Sequence, residues 1–194
     1  MYKELNSIDF PKTTGINVNM MPIIMNEEKS IPDYLKQYMS LINQCHFKTG
    51  STVYLTVHES EVKAGETQRR PGIHTEATKM SCWGGGGNWG GCDGMYMASN
   101  DGQCRLWNCQ IDEVDNHGAI ALELGEGIQM KPSTLYWMTD KTPHEALPSV
   151  KDGMRQFFRL VSEDVGVWWA KHNTPNPLGV LPKALIVNKD KFQI

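Results

Sequence analysis

The sequence predicts a mainly β protein, a sandwich or barrel of antiparallel strands with helical additions. Three observations carry this. Short stretches that alternate apolar and polar residues recur along the chain with turn residues between most of them. Only one segment keeps a sustained helical spacing of apolar residues. The strand-helix-strand alternation that builds a parallel sheet is missing. With 194 residues, 40% hydrophobic and 21% charged, the chain has the length and composition of one ordinary globular domain, so a single domain over residues 1–194 is expected.

The elements follow in order. From Pro32 to about Phe47, Tyr34, Leu35, Tyr38, Met39, Leu41, Ile42 and Cys45 recur at helical spacing, which predicts one long helix near the N-terminus, with Ser30 and Asp33 offering a capping box around Pro32. After Gly50 the period changes to two, with Val53, Leu55 and Val57 on one face of a strand and Thr52, Tyr54, Thr56 and His58 on the other. Further strands are expected over Ile73 to Ala77, Gly94 to Ser99, Gln103 to Ile111, Ala119 to Leu124, Leu135 to Thr139 and Arg155 to Val161. The apolar run from Ala184 to Val187 reads as a closing strand.

Charge excludes some partners. Lys plus Arg number 19 against 22 Asp plus Glu, a net of −3, and no long basic run occurs, which argues against nucleic acid. No apolar stretch approaches the roughly 18 residues of a membrane span, and MYKELNSIDF lacks a signal peptide's apolar region, so a cytoplasmic protein without membrane partners is expected. Cys45, Cys82, Cys92, Cys104 and Cys109 contain no C-x-x-C pair and read as reduced thiols; the alternative, a Cys82 to Cys92 bridge, needs an oxidising compartment.

The chemistry concentrates on three residues. His74 and Glu76 are two apart in an expected strand, so both side chains leave the same face and can converge on one ion. An imidazole and a carboxylate suit first-row divalent metals, and a second histidine completes a two-histidine, one-carboxylate facial triad. His144, in TDKTPHEALP, is the best candidate. The other histidines, His46, His58, His117 and His172, lack a carboxylate at the matching position. An H-x-E pair on its own is more often two solvated polar residues than a metal site.

RPGIHTEA followed by TPHEALPSVKDGMRQFFRL resembles the iron(II) and 2-oxoglutarate-dependent oxygenases, whose motif runs H-x-D/E, a distant His, then an Arg. The resemblance covers roughly Thr52 to Val161 and rests on short motifs, and Glu76 departs from the commoner aspartate. It implies a double-stranded β-helix, or jelly roll, with flanking helices. It further implies iron(II) on His74, Glu76 and His144, 2-oxoglutarate as co-substrate, dioxygen, and a small-molecule substrate. Arg155 would hold the distal carboxylate of 2-oxoglutarate, Arg159 on the same face competes for that role, and Tyr96 is a further candidate for a co-substrate hydrogen bond. An arginine suits the task because its planar fork donates two parallel hydrogen bonds to a carboxylate and stays charged.

The stretch SCWGGGGNWGGCDG cannot be a helix or regular strand, nor a phosphate-binding P-loop, since the Gly-Lys-Ser/Thr ending is missing. Trp83 and Trp89 in it could close over a substrate as a lid, or simply dock on the barrel. Arg69 and Arg70 just upstream could contact an anionic substrate. Two rival functions share the architecture: a cupin-type metal-dependent dioxygenase or isomerase, although the cupin H-x-H is absent, and a metal-free jelly-roll module that binds ligands without catalysis.

Overall fold

The computed structural model describes residues 1–77, 94–115 and 117–190. Eleven strands are found among them: β1 (Tyr2–Ser7), β2 (Asn17–Ile24), β3 (Thr52–Val62), β4 (Met95–Ser99), β5 (Cys104–Leu106), β6 (Ile128–Gln129), β7 (Thr134–Met138), β8 (His144–Ala146), β9 (Gly153–Val161), β10 (Val167–Trp169) and β11 (Leu185–Val187). Six form an antiparallel sheet in the order β1-β7-β4-β9-β3-β2, three a smaller antiparallel sheet β6-β5-β8, and β10 pairs with β11 in parallel. The protein is mainly β, as the alternation in the sequence predicts.

The two-residue period of β3 and β9 sorts the large sheet into two unlike faces. Val53, Leu55, Val57, Phe158 and Leu160 point to one side, where Tyr96 and Ala98 of β4 join them against Leu35, Tyr38, Leu41 and Ile42. Tyr54, Phe157 and Val161 point to the other, with Met95, Met97, Tyr136 and Met138, and meet Cys104 and Leu106 of the small sheet. The small sheet therefore packs on the second face. Arg155 and Arg159 alternate with the first-face residues of β9, so both guanidiniums also enter the space between the sheets, opposite Ser60 and Thr56 of β3.

The segment expected as one long helix is different. Asp33–Tyr38 is a 3-10 helix and only Met39–Ile42, α1, is α-helical. The buried residues explain this: Leu35, Tyr38 and Leu41 recur every three positions, the repeat of a 3-10 helix, while Tyr34 is exposed. Each fully buried leucine contributes about 1.5–3 kcal/mol, which outweighs the poorer hydrogen-bond geometry of this conformation. Nor is Ser30 part of a capping box; its hydroxyl donates to the carbonyls of Glu27 and Ile24 at 2.7 and 3.2 Å.

Two expected strands are reduced to single bridges. In place of strands over Ile73 to Ala77 and Ala119 to Leu124, His74 bridges both His144 and Ala119. Pairing does not spread because successive donors go to different partners: the Thr75 amide to Gly118, and those of Glu76 and Ala77 both to Asp140. β1, β2, β6, β8 and β10 have no counterpart in the sequence expectations. In β2 the pairing with β3 shifts between Val18 and Met21, and Met20 there adopts a φ of 48°, a bulge that turns its side chain to the second face while Met21 stays on the first. Cys45, Cys104 and Cys109 are free thiols, while Cys82 and Cys92 lie outside the described residues. No helix among the described residues is long and apolar enough to cross a membrane.

Candidate metal centre

His74 and His144 are opposed on neighbouring segments, each donating its amide to the other's carbonyl, at 3.0 and 2.9 Å. Residues that exchange both bonds in an antiparallel pair project their side chains to the same side. The imidazole rings consequently lie 4.5 Å apart between centroids. Glu76, two residues on, brings its carboxylate to the same point, and one ligand atom from each of the three residues lies within 4.8 Å of the others. The convergence read from H-x-E and a distant histidine is present. Its cause is a hydrogen-bonded pair of histidines rather than a regular strand.

Local contacts orient both rings alike. His74 Nδ1 is 2.7 Å from the Gly72 carbonyl and His144 Nδ1 is 3.0 Å from that of Thr142, in each case the residue two positions upstream. A carbonyl only accepts, so Nδ1 carries a proton on both rings, and a neutral ring held this way presents the Nε2 lone pair. This is the outer hydrogen bond that fixes the tautomer of a ligating histidine. Burial, reinforced by the neighbouring His144, pushes His74 down to about 3, so it stays neutral over the working range. Gly118 lets the segment pack this closely: its φ is +80°, and a Cβ there would collide with the Thr75 carbonyl.

Glu76 is held as a carboxylate. Burial opposes its charge, but Arg159 and then His144 overcome that cost and hold its carboxyl far below the usual range. The Arg159 Nη1 donates to Glu76 Oε1, and His144 Nε2 lies 3.7 Å from the same oxygen. Arg159 Nη2 reaches Met20 Sδ at 3.5 Å, which gives the bulge in β2 a local role.

The other expected site residues divide. Arg155 is 3% exposed; its Nε donates to Asp101 Oδ1 at 3.1 Å and to Ser99 Oγ at 3.3 Å, and its Nη2 to the Gln103 carbonyl at 2.9 Å. Arg159, 6% exposed, serves Glu76. Tyr96 lies on the opposite face of the large sheet, edge-on to Phe47 at 5.2 Å, because β4 places Met95 and Met97, not Tyr96, between the sheets. Arg70 is exposed and donates to the His117 carbonyl at 2.6 Å. Arg69 turns inward instead, with its guanidinium 4.9 Å from the centroid of the Phe157 ring. Trp83 and Trp89 lie outside the described residues.

No family model matches the chain, and neither the curated proteins nor the solved structures yield a match. The reading of the site therefore rests on its own geometry. Sequence reasoning did not find the Arg159 partnership with Glu76, the role of Gly118 or the bulge at Met20.

Proposed function

We propose that the protein is an iron(II)-dependent oxygenase of double-stranded β-helix type, with His74, Glu76 and His144 holding the metal and 2-oxoglutarate serving as co-substrate for oxidation of a small molecule. The observation that carries this reading is the convergence of two Nδ1-protonated histidines, both buried, and one half-buried carboxylate on a single point. Two neutral imidazoles and a carboxylate form a donor set suited to iron(II), manganese(II) and their neighbours. Packing of the small sheet on the large one, with the ligands at its edge, agrees with the jelly-roll expectation.

Bound there, iron(II) supplies the oxidising chemistry in which a 2-oxo acid and dioxygen are consumed. The chain's own contribution is to hold the ligands. The Gly72 and Thr142 carbonyls hold Nδ1 of both rings and so direct Nε2 towards the metal, and Arg159 keeps Glu76 ionised. The buried setting, with His74 and His144 at 8% and 5% exposure, limits water around the site.

Metal analysis of protein purified without oxygen, followed by calorimetry with manganese(II) and then 2-oxoglutarate, tests the reading. Stoichiometric metal in the parent, lost in His74→Ala and His144→Ala with unchanged circular dichroism, is the expected result. Full metal affinity in either variant removes the assignment. A second reading, a cupin-type metal-dependent dioxygenase or isomerase without 2-oxoglutarate, draws support from one observation: Arg155 and Arg159 are each committed to a carboxylate of the protein itself. Metal binding without 2-oxoglutarate binding selects it.

A further inference from the structure

Three guanidiniums, those of Arg69, Arg155 and Arg159, gather around Phe157 in the space between the two sheets. Arg155 and Arg159 flank Phe157 on the same face of β9, and Arg69 lies over its ring. Two carboxylates answer them, Asp101 on Arg155 and Glu76 on Arg159. Arg69 has neither a hydrogen bond nor an ion pair among the described residues; its guanidinium rests on the face of Phe157, with the Glu76 charge acting on it from further off.

Other polar groups there are also unsatisfied. His58 opposes Phe157 in the β3 to β9 register, and its Nδ1 is buried without a hydrogen-bond partner among the described residues. The same is true of Nε of Arg159. Burial, then repulsion from Arg159, lowers Arg69 to about 10, which leaves it charged at neutral pH. Arg69 itself is half-buried, so a solute can reach its guanidinium, and buried polar atoms without partners, such as those of His58 and Arg159, are uncommon in native proteins and call for an explanation.

We propose that Arg69 is the binding residue for the carboxylate of an anionic small molecule, held over Phe157 beside the His74, Glu76 and His144 group. The inference rests on the proposed function only for what the ligand's other end meets; the carboxylate contact itself needs no metal. It shifts the task expected of Arg155 or Arg159 to a residue on the N-terminal side of the H-x-E pair, and it separates Arg69 from its exposed neighbour Arg70. A guanidinium fork matches a carboxylate with two parallel hydrogen bonds, whereas Arg155 already commits Nε to Asp101 and Ser99 and Nη2 to the Gln103 carbonyl.

Calorimetry on the full chain with succinate as probe, in the absence of metal, and with 2-oxoglutarate in the presence of manganese(II), tests the assignment. The parent is expected to bind succinate without metal, and Arg69→Gln to weaken it at least tenfold while leaving manganese(II) affinity within twofold. Arg69→Met, which keeps an apolar stem against Phe157, should weaken succinate equally and guards against a folding defect in the first variant. Succinate affinity within twofold of the parent in either folded variant overturns the proposal, as does failure of the parent to bind succinate. Should manganese(II) not bind while succinate binding still depends on Arg69, the proposed function falls and this inference stands.

Discussion

Glu59, buried, and Glu76, half-buried, are carboxylates on opposite faces of the large sheet, and their surroundings could hardly differ more. Glu59 is 5% exposed on the first face and is met by neutral donors. Its Oε2 accepts the amides of Thr14 and Ile16 at 2.7 and 2.9 Å, and its Oε1 accepts the Tyr38 hydroxyl at 2.7 Å and Gln156 Nε2 at 3.4 Å. Burial opposes its charge, but the Tyr38 hydroxyl and the two amides outweigh that cost, and its pKa falls. Glu76, on the second face, is met by one cation, Arg159, and by the two imidazoles of His74 and His144. A carboxylate saturated by fixed dipoles is a structural tie that links the Thr14 to Ile16 stretch, the 3-10 segment and β9. A carboxylate balanced by one guanidinium and two imidazoles has the donor set that the proposed metal site needs.

The sharpest way to break this contrast is Glu76→Gln. Loss of the ligand charge should weaken manganese(II) by a hundredfold or more, read by calorimetry. Glu76→Ala, which leaves the buried Arg159 without its carboxylate, should also cost roughly 3–5 kcal/mol in urea unfolding. Equal metal affinity in Glu76→Gln and the parent would make Glu76 a second Glu59.

The reciprocal substitution, Glu59→Ala, should leave manganese(II) affinity within twofold while costing about 3 kcal/mol or more of stability, because several buried donors lose their acceptor. A metal effect as large as that of Glu76→Gln would show that the two sites are coupled through β3 and β9.

Next in size is a pH effect on the metal face. His74 refuses a proton in the folded protein until about pH 3, whereas in the unfolded chain it takes one near the ordinary histidine value. The unfolded state thus binds more protons between these limits, so the His74 contribution is fully present above the ordinary value and is lost progressively as pH falls towards 3. Chemical unfolding of the metal-free protein at a series of pH values should show this slope, and His74→Gln should flatten it between about pH 6.5 and 4.5, above the range where most carboxylates titrate. An unchanged slope would mean that His74 is already charged in the fold.

Tyr38→Phe is the smallest change. It removes one of the neutral donors to Glu59 and should cost about 1 kcal/mol, with no effect on metal.

By itself the sequence determined the mainly β class, because a two-residue period such as that of Val53, Leu55 and Val57 has one local solution. It also determined the identity of the metal-site candidates, because His74 and Glu76 at i and i+2 belong to a recognisable donor pattern. Tertiary structure decided the rest. The long helix became a 3-10 segment because its buried face repeats every three residues against the sheet, and periodicity over so short a span does not separate 3.0 from 3.6. The pairing of His74 with His144, the commitment of Arg159 to Glu76 and the inward turn of Arg69 all join residues distant in sequence. Which arginine answers which carboxylate depends on the packing of the small sheet on the large one, since Arg155 and Arg159 share a face of β9 and differ only in what that packing sets opposite each.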